Sequence, residues 1–345
     1  MTEKFLVGTY TKKSSQGIYS LTLDTNSKEL TNIEPIIEAG SPTYLGISNA
    51  NRCYCVDKVG NQGGVSSFDL NATPASKINQ ILSNGSAPAY IGIDEKRQLV
   101  YAGNYHLSTV TVFKIQSDGS LLQTDKVTHQ GLTGPKPEQD EPHVHYCDLT
   151  PDNRLVVCDL GMDLTFIYDV SNDGKLIAKS RYQSEAGFGP RHIVFHPNGK
   201  IAYLVGELGS KIEVLKYNDS NAQFTKLQTI STIPEDWTTH NGAAAIHISN
   251  DGKFVYASNR GQNALVVFEV QSDFTIKLVQ TISTEGDFPR DFELSQNEDF
   301  VICANQNTDN LTLYERNTMD GTLSVVQKNV ACPEGVCIKK WLLAN

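Results

Sequence analysis

The chain has 345 residues, of which 39% are apolar and 20% charged, so it can build a sizeable core, which argues against intrinsic disorder. Its 29 basic and 39 acidic residues give a formal net charge of −10, which opposes binding to a phosphate backbone and disfavours nucleic acid as a partner. No signal peptide and no apolar run of about 18 residues is visible, so we expect no membrane span and a cytoplasmic location.

The seven cysteines are odd in number and scattered, and no two of them form a Cys-x-x-Cys pair. This pattern is typical of a reduced, cytosolic chain rather than of a disulfide framework. We therefore interpret Cys53, Cys55, Cys158 and Cys303 as small apolar residues of strands.

A repeat runs along the whole chain, and each copy has a short apolar segment, a polar turn and a second apolar segment. The first segments begin at or close to a proline in most copies, and they cover residues 42–48, 88–94, 144–151, 190–197, 243–249 and 289–295. The second segments cover residues 51–57, 98–104, 155–159, 200–207, 253–260 and 299–306. Such regular spacing is the signature of a repeat architecture.

Two further strands follow in each copy. The third strands are predicted at residues 109–115, 164–170, 212–217, 265–270 and 311–316. Asp-Gly turns then lead to fourth strands, for example at residues 121–127 and 323–327, and Asp-Gly between apolar runs favours a hairpin because Gly tolerates positive φ. Four antiparallel strands per copy predict a propeller blade.

The period gives the number of blades. From Pro42 to Pro333 the repeat advances by about 48 residues per copy, which predicts seven blades in one domain, residues 1–345. Residues 334–343 resemble a first strand, and residues 5–10 and 17–23 resemble later strands, so we expect the C-terminal strand to pair with the N-terminal strands and close the ring. A propeller of six or eight blades and a pair of β-sandwiches are the alternatives.

The repeat carries charge at two positions where a structural repeat needs none. The first position follows the proline-like residue of each innermost strand: Thr43, Ala89, His145, Arg191, Ala244, Arg290 and Glu334. The second lies at the end of each second strand: Lys58, Tyr105, Gly161, Glu207, Arg260 and Gln306. If the innermost strands line a channel, both sets face one mouth, and charged residues gather in the later blades.

The chemistry of this cluster favours an anionic substrate. Arg191, Arg260 and Arg290 can hold a carboxylate or phosphate in bidentate fashion, and His145 can act as a general base near neutral pH. Glu207 can orient that histidine, move a proton or hold a sugar hydroxyl. The alternative is structural, with single arginines solvated and Glu207 balancing Arg191 or Arg260 in an ion-pair network.

The remaining histidines and motifs carry less chemistry. His143 and His145 are two apart on a predicted strand, so they could share a metal ion, but no third ligand is evident nearby. We interpret His192, His196 and His247 as buried, hydrogen-bonded residues of strands. For lack of that third ligand we expect no metal. No nucleophile elbow, Walker loop or dinucleotide fingerprint is present, so we expect no covalent serine chemistry and no cofactor.

The motifs around the predicted mouth resemble those of the seven-bladed propeller lactonases, which include propeller-type 6-phosphogluconolactonases and carboxy-muconate lactonising enzymes. The resemblance covers essentially the whole chain and is carried by Pro142-His-Val-His, Gly189-Pro-Arg-His, Gly206-Glu-Leu, Ala257-Ser-Asn-Arg-Gly and Phe288-Pro-Arg-Asp-Phe. It implies a cofactor-independent enzyme that opens or closes lactones of small anions.

The resemblance also implies residue roles. We expect His145, Glu207 and Arg191 to be catalytic and Arg260, Arg290 and His143 to bind substrate. One departure is Ala245, which stands where many family members have an acidic residue.

The implied reaction is hydrolysis of 6-phosphogluconolactone in the pentose phosphate pathway. The alternatives are a muconate-type lactone, a metal-dependent gluconolactonase and a non-catalytic binding propeller. The oligomeric state is left open.

Overall fold

The computed structural model describes residues 1–342, which form seven four-stranded antiparallel sheets. The sheets are the blades of a propeller, so the predicted all-β fold with seven blades is confirmed. In each blade the strand nearest the channel comes first in the order that follows.

Blades 1 to 4 have these strands. Blade 1 contains Gly335–Trp341 (β28), Thr2–Thr9 (β1), Gly17–Asp24 (β2) and Glu29–Glu38 (β3). Blade 2 contains Leu45–Ile47 (β4), Arg52–Val59 (β5), Gln62–Asp69 (β6) and Ser76–Asn84 (β7). Blade 3 contains Tyr90–Asp94 (β8), Leu99–Asn104 (β9), Thr109–Ile115 (β10) and Leu121–Thr128 (β11). Blade 4 contains Val144–Leu149 (β12), Leu155–Asp159 (β13), Leu164–Val170 (β14) and Leu176–Gln183 (β15).

Blades 5 to 7 repeat the pattern. Blade 5 contains Pro190–Phe195 (β16), Ile201–Gly206 (β17), Lys211–Asn218 (β18) and Gln223–Ser231 (β19). Blade 6 contains Gly242–Ile248 (β20), Phe254–Arg260 (β21), Ala264–Val270 (β22) and Ile276–Ser283 (β23). Blade 7 contains Pro289–Leu294 (β24), Phe300–Asn305 (β25), Asn310–Arg316 (β26) and Leu323–Ala331 (β27). The predicted third strands agree with these bounds within one residue at each end.

The ring closes as predicted, because the C-terminal strand completes the first blade. β28 pairs antiparallel with β1, from Lys4 opposite Trp341 to Thr9 opposite Gly335. β28 is the innermost strand of that blade, and it pairs with the side of β1 that would otherwise be an open edge. The predicted strand extended to Leu343, which lies outside the described residues.

The core lies between neighbouring blades. The second strands are almost wholly buried, and four of them place a fully buried tyrosine at the same position: Tyr54, Tyr101, Tyr203 and Tyr256. The outer strands alternate between exposed and half-buried residues, as in β15, because one face of each meets solvent. All four cysteines interpreted as apolar strand residues are fully buried and free.

Helix is scarce in the part of the chain that the structure describes. It is limited there to one short 3-10 helix, Pro137–Gln139, in the connection between blades 3 and 4. Within residues 1–342 no helix has the length and apolarity needed to cross a membrane.

The closing strand gives a test of the ring. Ile338 on β28 is fully buried in an apolar cluster with Phe5, Val7 and Ala304. Ile338→Ala should lower the free energy of unfolding by about 2–5 kcal/mol, because it removes buried methylene groups and leaves a cavity. Ile177→Ala, on the outer strand β15 and 60% exposed, is the matched control and should cost little. Equal losses in denaturant unfolding would contradict the role of β28.

Candidate functional site

Three of the predicted site residues owe their direction to β-bulges at the start of the innermost strands. Val144 and Tyr146 pair with the consecutive residues Asp159 and Cys158, so His145 is the extra residue of a bulge. Arg191 and Arg290 are the extra residues of equivalent bulges in β16 and β24. A bulge interrupts the strict alternation of side chains and re-aims the extra residue, and here it does so at one end of the channel.

The strand register differs from the alignment of the repeats at two places. In blade 1 the bulged residue is Val336 rather than Glu334, because Gly335 and Cys337 pair with Thr9 and Gly8. In blade 4, Asp159 pairs with Leu164, which puts Leu160 rather than Gly161 at the position after the second strand. The apolar residues Val336 and Leu160 therefore stand at the two repeat positions that the sequence analysis assigned to Glu334 and Gly161.

A cavity of about 380 Å³ opens at this mouth. Its lining includes four of the predicted site residues, His145, Glu207, Arg260 and Arg290. It also includes Tyr10, Lys12, Ser41, Thr43, Lys58, Ser86, Ala87, Pro88, Ala89, Tyr105 and His106. Neither Arg191 nor His143 lines it.

Glu207 joins two of the arginines. Its Oε2 accepts a hydrogen bond from Arg191 Nε at 2.9 Å, and its Oε1 lies 2.9 Å from Arg260 Nη2 in an ion pair. Burial alone would raise the pKa of the Glu207 carboxyl, but Arg260 and Arg191 outweigh it and lower that pKa to about 2. Glu207 is therefore ionised at all physiological pH values, and both of its oxygens are occupied.

Arg191 lies behind this carboxylate and is almost fully buried, with 2% of its surface exposed. Its Nη1 approaches His192 Nε2 at 3.3 Å. Burial and the neighbouring Arg260 guanidinium lower the pKa of Arg191, because both penalise its charged form. Arg260 is also buried, and its Nε and Nη2 donate to the carbonyl oxygens of Gly242 and Ala243.

His145 is a buried imidazole with an unsatisfied nitrogen. Only 4% of its surface is exposed, and its Nδ1 has no hydrogen-bond partner within residues 1–342. Burial and the positive charge of Arg191 hold its pKa well below 6.5, so the ring is neutral at physiological pH. Its neighbours are the rings of Tyr105 and His192, with centroids at 5.9 Å and 5.3 Å.

His143 lies behind the cavity wall. Its Nδ1 contacts the carbonyl oxygen of Tyr105 at 3.0 Å, its Nε2 contacts Asp140 Oδ1 at 2.9 Å, and its ring stacks on Tyr105 with centroids 4.1 Å apart. These contacts orient Tyr105, which does line the cavity. Both ring nitrogens of His143 are already engaged in these contacts. Substrate binding by His143 stays a prediction.

Tyr10 is a cavity residue that sequence reasoning missed. It follows β1 directly, at the position that Glu207 occupies after β17, and its ring lies 4.2 Å from Lys12 Nζ and 5.9 Å from Arg290 Cζ. Arg290 is the largest influence on its phenol and lowers its pKa. The sequence did contain the signal: residues 5–10 resemble a later strand of a blade, and Tyr10 stands at the end of that segment, where other copies carry Glu207 and Arg260.

The other histidines have mixed surroundings. His192 is buried as predicted, whereas His196 and His247 are half-buried. His129, which directly follows β11, is buried between Asp159 and Tyr168, with contacts of 2.7 Å and 2.9 Å. Within the described residues no three His, Cys, Asp or Glu side chains are grouped to hold a metal ion.

The comparisons with known proteins agree with the propeller fold. Residues 4–340 match the family model described as "Lactonase, 7-bladed beta-propeller", so the chain belongs to the seven-bladed β-propeller lactonase family.

Individual relatives are similar over their full length. The chain is 39% identical to the 6-phosphogluconolactonase of Bacillus subtilis strain 168, over 96% of this chain and 97% of the relative. A solved structure of a protein from Lactobacillus plantarum superposes with a TM-score of 0.98 at 53% identity, over 99% of this chain and 100% of the other. The periplasmic gluconolactonase of Pseudomonas aeruginosa superposes with a TM-score of 0.93 at 28% identity, over the whole of both chains.

The ion pairs of Glu207 with Arg191 and Arg260 lead to a prediction about stability. Glu207→Gln should cost about 3 kcal/mol of unfolding free energy, because it leaves the buried Arg191 without its carboxylate. Adding Arg191→Met to Glu207→Gln should restore part of that loss, since the uncompensated buried charge is then gone. Lys211→Met, which breaks a half-exposed ion pair with Glu185, is the control and should cost less than about 1 kcal/mol. Strict additivity of the two site substitutions in a double-mutant cycle would contradict the coupling.

Proposed function

We propose that this protein hydrolyses 6-phosphogluconolactone to 6-phosphogluconate, without a cofactor, as a step of the oxidative pentose phosphate pathway. The observation that carries the proposal is a cavity that places a neutral, buried histidine beside a cationic cluster in a protein of net charge −10. The cationic groups of such a cavity can concentrate a small anion, and the histidine beside them can accept a proton. The relationship to the B. subtilis 6-phosphogluconolactonase supports this choice of substrate.

His145 is the proposed general base. It takes a proton from a water molecule while the water oxygen bonds to the lactone carbonyl carbon, which gives a tetrahedral oxyanion. The ring C–O bond then breaks, and the proton held by His145 passes to the leaving oxygen, which becomes the free hydroxyl of the product. The lowered pKa of His145 keeps it in its proton-accepting form.

Arg260 is the proposed partner of the oxyanion. It lines the cavity, and its Nε and Nη2 are fixed by Gly242, Ala243 and Glu207, while its Nη1 takes no part in these contacts. A guanidinium held in this way needs no reorganisation when negative charge develops on the substrate.

Glu207 and Arg191 are assigned to electrostatic support. Glu207 has a pKa of about 2 and both of its oxygens engaged, so it is a poor proton acceptor at neutral pH. Arg191 lies outside the cavity lining and keeps His145 neutral through its charge. In this proposal the two residues hold Arg260 and His145 in their active states.

Ala245 does not weaken the proposal. Its side chain belongs to an apolar cluster with Tyr256 and Phe292, and it does not line the cavity. The proposed reaction assigns no step to a carboxylate at this position.

A second candidate substrate is an unphosphorylated or carboxylated lactone. The P. aeruginosa relative is described as a gluconolactonase, and a carboxylate would suit the same arginines. A substrate panel of 6-phosphogluconolactone, gluconolactone and muconolactone decides between them, since an enzyme for the phosphorylated substrate should show the highest kcat/KM with the first.

We also propose a cytoplasmic location. All seven cysteines are free and buried, as suits a reducing compartment. The P. aeruginosa relative is described as periplasmic, so cell fractionation is the appropriate test.

Removal of the proposed base should abolish most activity. His145→Gln should lower kcat for 6-phosphogluconolactone by roughly 10²- to 10⁴-fold, because that is the usual contribution of a general base. The assay must be fast and coupled to product formation, since lactones also hydrolyse spontaneously. His240→Gln, on an exposed loop outside the cavity lining, is the control and should keep full activity. Full activity of the His145 variant would refute the assignment.

The pH profile should carry the mark of a buried histidine. A base with an ordinary pKa of 6.5 would lose half of its active form at pH 6.5. Because the pKa of His145 is lower, kcat/KM should stay constant from pH 8 to below pH 6.5 and fall only in more acidic solution. An inflection near pH 6.5, measured with initial rates corrected for spontaneous hydrolysis, would contradict His145 as the base.

A further inference from the structure

The cavity has two chemically different halves. Blades 4 to 6 supply His145, Glu207 and Arg260, of which the last two are paired with each other. Blades 7, 1 and 2, which are adjacent in the ring, supply Arg290, Lys12 and Lys58. Within residues 1–342 none of these three cations has a carboxylate oxygen within 4 Å, so the second half carries positive charge without a counter-ion.

The backbone around Lys12 is held by hydrogen bonds to Glu334. Glu334, only 4% exposed, accepts hydrogen bonds from the backbone N–H groups of Lys12, Lys13 and Ser15 at 2.9, 3.0 and 3.2 Å. The backbone N–H of Tyr10 donates to the carbonyl oxygen of Glu334 at 3.0 Å. The loop after β1 is therefore anchored to Glu334, the residue before β28. The ammonium group of Lys12 itself makes no ion pair with a carboxylate of the described residues.

Lys58 is placed in the same way. The buried Asp57 accepts from the backbone N–H groups of Lys58 at 2.8 Å and Gly40 at 2.7 Å, and its other oxygen accepts from Ser66 Oγ at 2.6 Å. Arg290 is the extra residue of a bulge. Each of the three cations thus comes from a rigid backbone position, which reduces the entropy lost when an anion binds.

Tyr10 lies between two of the cations. Its ring is 4.2 Å from Lys12 Nζ and 5.9 Å from Arg290 Cζ, so its π face attracts both and keeps them at a defined spacing. Tyr10 also lines the cavity, and its phenol adds one hydrogen-bond donor to the positive groups.

We propose that Lys12, Lys58 and Arg290, with Tyr10 between two of them, form a phosphate subsite that selects phosphorylated over unphosphorylated lactones. This inference rests on the proposed function, because it assigns the substrate's phosphate to blades 7, 1 and 2 and its lactone carbonyl to His145 and Arg260. A phosphate dianion takes up several charge-assisted hydrogen bonds at once, which suits three unpaired cations.

The test compares phosphorylated and unphosphorylated partners. Lys12→Met and Lys58→Met should each raise KM for 6-phosphogluconolactone by roughly 10- to 100-fold, the usual effect of losing a hydrogen bond to a charged group. Their kcat, and their kcat/KM for gluconolactone, should change little, because the reacting groups are untouched. Lys13→Met is the matched control: Lys13 is the next residue and exposed, and it does not line the cavity.

A binding measurement separates this inference from the lactonase reaction. Calorimetric titration of the wild-type protein should show 6-phosphogluconate binding at least roughly tenfold tighter than gluconate, a preference that both variants lose and Lys13→Met keeps. Equal binding of the two ligands, or variants that behave like Lys13→Met, overturns the subsite. Preferential binding of 6-phosphogluconate without any lactone turnover upholds the subsite and overturns the proposed reaction instead.

Discussion

Closure of the ring is the constraint on which the rest of the molecule depends. Each blade buries its faces against two neighbours, and only the pairing of β28 with β1 lets the first blade pack against the last. Closure also brings the starts of the seven innermost strands to one mouth. Residues 280 positions apart in sequence, such as Tyr10 and Arg290, then line one cavity.

The backbone at that mouth departs from regular pairing where the site needs it. His145, Arg191 and Arg290 are extra residues in bulges, and such residues leave the ladder and turn toward the channel end. Regular alternation would have committed neighbouring side chains to opposite faces of the sheet. The bulges let a repeat of buried apolar positions carry a polar residue at its rim, with the core beneath left intact.

The electrostatics of the site follow from sharing one carboxylate between two guanidinium groups. Glu207 compensates part of the charge of Arg191 and Arg260, which makes their burial tolerable, but it leaves the cluster positive. That excess charge and the lack of solvent keep His145 neutral. Arginine, histidine and carboxylate therefore act as one unit, and the function proposed for the cavity depends on their mutual placement.

Much of this arrangement could be predicted from the sequence, because each copy of the repeat carries the same pattern of strands and turns. The period of about 48 residues and the terminal segments led to seven blades and to the closing strand. Matched repeat positions also singled out His145, Glu207, Arg260 and Arg290, which the cavity brings together. The same method misplaced Glu334 and Gly161 by one or two positions, because bulges and turn lengths shift register without altering the apolar pattern.

The sequence by itself thus determined the architecture and the chemical types at the mouth, since strand patterning and the repeat depend on local residue order. Only the tertiary structure decided which of those groups meet the cavity. It buried Arg191 behind Glu207, turned His143 toward Tyr105 and brought Tyr10 beside Arg290. These placements depend on side-chain direction and on contacts between distant blades, and no local pattern encodes either.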